Sequence, residues 1–466
     1  MTINAEDRDA VVILVPTGSL GAGVRENEIE YGMAQGVHAI ATDAGSTDSG
    51  AAYLALGISK NNRGAVKRDL TILMRAAWDA RIPVLVGTSG QAGGDLNLAW
   101  TRDIAVEVAR ELGITPRIAL LHSEQDKTEL KARNATGAIF PLPPLGPLDD
   151  ATIDACDHIV AALGPEPYIA ALEAGADIIL GGRTTDTAVI AAFALMKGMP
   201  PGACWHAGKT AECGAQCTEK ELAGSGVLLR IDHDGFEVEP LNTTNRCTPH
   251  SVSAHMLYEN SDPFHLIEPG GILDVTNAHY AQLDSRTVKV TGSVWQERPY
   301  TLKLEGASAG RFQTIMLVGI QDPIVLRDLE LFHDQMHGLL VNRVKQTIGE
   351  AAGDFDISLR IYGWNAVSGE KLPADTPPPR EVGVLFVATA ATQEMATQIA
   401  KACNPMFFHM PMPAHHEMPS YGFAFTPADI PRGPVFEFRL NHVVQVDDPM
   451  ELVRTEWVET KLEEAA

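Results

Sequence analysis

The chain has 466 residues, 45 % of them hydrophobic, and a formal net charge of -24 from 60 acidic and 36 basic side chains. That length allows two or three domains with well-buried cores, and the apolar share excludes a disordered chain. So acidic a surface repels phosphates and anionic headgroups, so neither nucleic acid nor membrane is expected as a partner.

No apolar run reaches the length of a membrane span. Residues Met1–Asp9 are polar and acidic, without the basic flank and apolar stretch of a secretion signal. The six cysteines, at 156, 204, 213, 217, 247 and 403, form no CxxC pair. Reduced thiols and a cytoplasmic location are expected from this.

In chain order, Val11–Val15 reads as a buried strand that runs into the glycine-rich turn Pro16–Gly23. A second strand, His38–Thr42, ends at Asp43. Val66, Leu70, Leu73, Met74 and Ala77 recur at helical spacing, and Ile82–Gly87 is a third strand. A helix over Leu98–Leu112 leads to a fourth strand, Arg117–Leu121. Another helix, Tyr168–Ala174, precedes the strand Asp177–Leu180. Continuous Val/Ile/Leu strands separated by helices imply a parallel sheet covered on both faces. We therefore expect a Rossmann-like α/β domain over 1–225. Ligands of such sheets bind beyond the carboxyl ends of the strands. That rule puts Pro16–Gly23, Asp43–Ser49, Gly87–Asp95 and Gly181–Asp186 on one rim.

Beyond residue 225 the texture changes. Val227–Ile231, Thr287–Val290 and Tyr300–Leu304 read as strands of a mixed α+β region over 226–372. Pro373 and Pro377–Pro379 mark a linker. A strand over Val382–Ala388, a helix over Gln393–Ala402 and a strand over Val435–Val446 suggest a small ferredoxin-like domain over 380–466.

Several polar clusters carry candidate chemistry. The Pro16–Gly23 turn offers backbone N–H groups to an anion, or serves as a tight turn only; Glu26 and Glu28 argue against phosphate. The loop Asp43-Ala44-Gly45-Ser46-Thr47-Asp48 holds two carboxylates and two hydroxyls, enough to bind a metal or exchange protons; a plain helix cap needs one such residue. Of Lys67 and Arg68, one can point into a site, and a solvated face is the other reading. Gly87–Asp95, with Ser89, can form an anion nest or a connector. Arg183, directly after a strand, can grip a carboxylate, with Asp186 orienting it. Within Cys204–Cys217, the spacings match no common zinc pattern. Lys209 and Glu212 lie three apart for acid–base work, His206 is a candidate substrate contact, and Cys213 is a candidate nucleophile or a buried thiol. His255 and Glu259 have helical ion-pair spacing. His415-His416-Glu417 suits a surface loop or subunit contact more than a metal.

Together these stretches resemble the acyclic terpene utilisation AtuA-type family. The resemblance rests on Pro16–Gly23, Asp43–Ser49, Lys67-Arg68-Asp69, Ser123–Lys127, Gly182-Arg183 with Asp186, and Lys209 with Glu212–Ala215. It continues through Ser251–Glu259 and Pro269-Gly270-Gly271. The tail Asp429–Val435 is similar to a ferredoxin-like module attached to this family. The resemblance implies an enzyme of bacterial catabolism of branched or carboxylated compounds, some relatives carrying a lyase label.

The expected function is a catabolic lyase or hydro-lyase acting on a small carboxylate or its CoA thioester. Arg183 would bind the carboxylate, and Lys209 or Glu212 would remove a proton next to the carbonyl. Asp43 and Asp48 would hold a divalent cation or protonate the leaving group. Ser46, Thr47, Ser89, Asp186 and His206 complete the expected substrate contacts. A hydrolase using Cys213 or a metal-activated water is the alternative, and a non-catalytic scaffold subunit is a third reading. A homo-oligomer is expected.

Overall fold

The computed structural model describes residues 10–220, 222–370, 372–373, 375–409 and 421–460. Met1–Asp9 and His415-His416-Glu417 lie outside the described residues. The chain forms a mixed α/β structure in two compact units, one from 1–308 with 437–466 and one from 309–436.

The first unit is built on a ten-stranded sheet. At its centre lie five parallel strands in the order Val11–Val15, Ala39–Asp43, Val84–Gly87, Ile178–Gly181, Arg117–His122. Side chains alternate across the sheet with period two. Ile13, Val15, Ala41, Leu85 and Ile179 therefore enter one apolar layer, and Leu14, Ile40, Val84, Val86 and Leu180 the other. The first layer is closed by helices Asp186–Met196 and Pro201–Ala211, the second by Arg63–Ala80 and Asp95–Leu112. Asn62 caps the start of Arg63–Ala80 by accepting from the N–H groups of Gly64 and Ala65. Asp95–Leu112 stops at Gly113, which adopts the left-handed conformation.

The strand order reverses inside this sheet. From Val84–Gly87 the chain crosses to Arg117–His122, and Ile178–Gly181 later returns to lie between them. Such a reversal opens a crevice beyond the carboxyl ends of the strands. The four expected loops do meet there. Leu20 N donates to Asp43 O at 2.9 Å, Gln91 Nε2 to Ser46 O at 2.9 Å, and Arg183 N to Gly93 O at 3.1 Å.

The domain boundaries differ from expectation. Strand Val227–Asp232 pairs antiparallel with Val11–Val15, so the chain beyond residue 225 extends the same sheet. At the opposite edge Arg454–Glu459 pairs antiparallel with Arg117–His122. Both pairings join segments far apart in sequence, which local pattern cannot reveal. A separate three-stranded sheet, His265–Glu268, Gly271–Asp274 and Val294–Glu297, also belongs to this unit. So does the pairing of His158–Ala161 with residues 304–307 of the long strand Thr301–Ile320.

The second unit orders its strands Asp356–Tyr362, Val382–Ala390, residues 312–320 and Tyr421–Phe423, each antiparallel to its neighbour. Val382–Ala390 alternates buried and half-buried residues along its length. Its buried face meets helices Leu329–Thr347 and Gln393–Cys403 through Phe332, Met336, Phe386 and Ile399.

Candidate active site

The crevice is shaped by close backbone approach. A Cβ on Gly45 would sit 2.5 Å from Gln91 Cα, and one on Gly93 would sit 2.1 Å from Arg183 N. Glycine is thus what lets the loop after Asp43 and the loop before Arg183 touch the segment 88–93. That segment is itself unusual, with Thr88 at φ 40° and Gln91 at φ 91°. Non-glycine residues held there are characteristic of ligand sites. Gln91 donates to Ser46 O and to Ser49 Oγ at 3.1 Å, and its own Oε1 is buried without a partner among the described residues.

Two cavities open on this rim. The smaller, about 280 Å³, is lined by Asp43, Ser46, Asp48, Lys60, Gln91 and Cys213, among others. The larger, about 620 Å³, has a polar end at Arg183, Lys209 and Glu268 and an apolar wall of Leu142, Leu266, Ile267 and Ile272. Asp186, Glu212 and Glu259 line both, so they form the partition between them.

Arg183 anchors the polar end. Its Nε donates to Glu305 Oε2 at 2.8 Å, and Nη1 to Thr184 O at 2.7 Å and Thr88 Oγ1 at 3.3 Å. Nη1 also lies 3.4 Å from Asp186 Oδ1. No described residue accepts from Nη2. Glu305 is further bound by Lys303 and by Thr47 Oγ1, at 2.8 and 2.9 Å. Burial alone would push the Glu305 carboxyl up, but Arg183 and Lys303 hold it at about 2.

The other carboxyls are shifted the opposite way. Burial, reinforced by the Asp186 charge, holds Asp43 well above the ordinary carboxylate range despite Arg183. Burial also raises Asp186, with the charge of Asp48 adding to it and Arg183 opposing. Glu212 is pushed up to about 8 by burial and Asp186, with Lys209 opposing. Glu268, which accepts from Thr187 Oγ1, is pushed up to about 7 by burial, with Asp186 again adding. Asp186 is therefore the shared neighbour of the cluster. Its side chain is 31 % exposed and open to both cavities.

Lys209 and Glu212 make a buried ion pair, and Lys209 Nζ also donates to Tyr258 O at 3.2 Å. Next to the pair, donor atoms of Glu212, Cys213 and His255 lie within 4.8 Å of one another. Asp43 and Asp48 gather no third histidine, cysteine, aspartate or glutamate at that spacing among the described residues.

Of the residues expected in a site, Asp43, Ser46, Asp48, Arg183, Asp186, Lys209, Glu212 and Cys213 line the two cavities. Three do not. Thr47 is buried against Glu305. Ser89 is buried under the loop, its N–H bound to Gly181 O. His206 sits in the apolar core, its ring between Ser293 Oγ at 2.7 Å and Tyr280 Oη at 3.2 Å, and burial lowers it to about 3. The helix expected to pair His255 with Glu259 ends at His255; Glu259 turns away at φ 57°. Lys67 is held by Glu107 and Glu111, and Arg68 by Val24 O.

Residues not singled out beforehand are Glu305, Lys303, Glu268 and Lys60. Lys303 and Glu305 stand two apart on one strand, hence on one face, in an otherwise apolar stretch. That spacing was the available signal.

Comparison with curated proteins and with solved structures gives no match. The sequence model described as "Acyclic terpene utilisation family protein AtuA" matches residues 65–435, which include Arg183, Asp186, Lys209, Glu212, His255 and Glu305. With most of its length covered by that match, the chain belongs to the acyclic terpene utilisation AtuA family.

Proposed function

We propose that the chain is a hydro-lyase that removes a proton next to the carbonyl of a small branched carboxylate or its CoA thioester. The observation that carries this is the place of Asp186 on the partition of two cavities, beside Arg183 and facing an apolar wall. The apolar chain of the substrate lies along Leu142, Leu266, Ile267 and Ile272, and Arg183 offers its Nη2 edge to the anionic or carbonyl end. The family description, acyclic terpene utilisation, agrees with a branched apolar chain.

Asp186 takes the proton from the carbon next to the carbonyl. The electron pair forms the carbon–carbon double bond, and the β-hydroxyl leaves. Asp43, whose burial favours its protonated form, supplies the proton that makes water of the leaving group. We assign the base to Asp186 rather than to Lys209 or Glu212 because those two are hydrogen-bonded to each other and buried, whereas the Asp186 side chain is 31 % exposed. Cys213 is not proposed as a nucleophile: burial and the adjacent Glu212 raise its thiol, which disfavours the thiolate.

On the fold, we read the parallel centre of the first unit as Rossmann-like. We read 309–436 as ferredoxin-like, supported by its β-α-β-β-α-β chain order and antiparallel pairing.

The test uses β-hydroxy branched-chain acids and their CoA thioesters in deuterated buffer. The expected result is deuterium on the carbon next to the carbonyl, together with an enoyl product. Asp43→Asn should keep the exchange and lose most elimination. Absence of exchange and elimination across the panel would overturn the reading.

A further inference from the structure

We propose that Glu212, Cys213 and His255 form a transition-metal site whose preferred ion is zinc. The donor set is a carboxylate oxygen, a thiol sulfur and an imidazole nitrogen, all within 4.8 Å of one another. Around a tetrahedral zinc such atoms stand about 3.4–3.7 Å apart, given bonds of about 2.0–2.3 Å. Closing the present spacing takes side-chain shifts on the order of 1 Å.

A second observation points to a ligand independently. His255 is 4 % exposed, and its Nε2 is buried with no hydrogen-bond partner among the described residues. An unpaired nitrogen is costly at such depth. That nitrogen is the ring atom left to coordinate an ion. Tyr258 stacks on the ring at 5.7 Å between centroids and fixes its plane.

Lys209 thereby gains a role that acid–base chemistry did not give it. Its ammonium holds one oxygen of Glu212. Outer contacts of this kind orient metal ligands and set affinity. Glu212 and Cys213 both line the smaller cavity. Three protein ligands with the remaining position toward a cavity is the pattern of a catalytic rather than a structural zinc. Mixed oxygen, sulfur and nitrogen donors favour zinc or cobalt over magnesium or calcium. This assignment rests on the donor geometry and not on the reaction proposed above.

The test is binding, not turnover. Full-length protein is stripped with a chelator and titrated with Co²⁺, then with Zn²⁺ in competition. The expected result is one equivalent of Co²⁺ bound with a thiolate-to-metal charge-transfer band and the intense visible bands of a four-coordinate ion, displaced by Zn²⁺. Cys213→Ser should lose the charge-transfer band. His255→Ala should bind more than about 100-fold more weakly, and Lys209→Met about 10–100-fold more weakly. Circular dichroism checks that each variant is folded; if His255→Ala is not, the isosteric Cys213→Ser decides. Wild-type protein without the thiolate band, or folded Cys213→Ser with the band intact, would overturn the site.

Discussion

Two polar loops leave the same edge of the central sheet, and each is organised by one buried charge. In Pro16–Gly23 that charge is Asp69, fully buried, whose carboxylate accepts from the N–H groups of Gly21, Gly23 and Val24 at 2.9–3.1 Å. In Gly181–Asp186 it is Arg183, held by Glu305. The second half of the first loop closes on itself: the amides of Gly21, Gly23 and Val24 already bind a carboxylate of the protein, and only Gly18 and Ser19 reach the smaller cavity. The second does not close, because Asp186 beyond Arg183 still faces two cavities. Glycines and polar residues thus mark the rim of the sheet. What separates a site from a turn is whether the polar groups spend their hydrogen bonds on each other.

Each side of this contrast can be broken. Asp69→Ala should have the largest effect on stability. Three backbone donors, that of Val24 fully buried and those of Gly21 and Gly23 partly so, lose their acceptor, at about 1–3 kcal/mol each, so the loss is on the order of 3–9 kcal/mol. Denaturant unfolding reads it, and a midpoint equal to wild type would mean that water serves the amides equally well. Glu305→Gln leaves Arg183 buried without its main counter-charge and should cost roughly 3 kcal/mol in the same measurement. Unchanged stability there would show that the second loop is as self-sufficient as the first.

Glu268 gives a pH-dependent test. Its pKa rises from 4.5 to about 7 on folding. The folded state therefore prefers the neutral acid. That contribution is complete below pH 4.5 and is lost as pH rises through about 7. Glu268→Gln, which cannot ionise, should gain on wild type across that interval by on the order of 3 kcal/mol. A stability difference that stays constant with pH would contradict the shift. The smallest effect is expected for His206→Asn. Losing the contacts with Ser293 and Tyr280 should cost about 1–2 kcal/mol and leave KM unchanged. A raised KM would return His206 to the site.

Much of the rim was legible in the sequence because it is local. A strand such as Ala39–Asp43 announces itself by composition, and the sheet rule then places its last residue at the crevice. Asp43, Arg183 and Asp186 follow from that reasoning alone. Glu305 does not, since it comes from a strand 122 residues away from its partner Arg183. Nor does the role of Asp69, which in a helix reads as one more surface acid until the glycine loop is folded over it. His255 looked like half of an ion pair because helical spacing continued past the point where the helix stops. The domain boundaries failed for a related reason. Strands that return to the edges of the first sheet leave no local mark of where they pair.

The central claim is that Asp186, on the partition of the two cavities, is the group that moves the proton. The most direct test compares deuterium incorporation next to the substrate carbonyl by wild type and by Asp186→Asn, with the melting temperature of each recorded. A fall of about 10²–10⁴-fold at an unchanged melting temperature is the result predicted. Exchange at the wild-type rate in folded Asp186→Asn would contradict it.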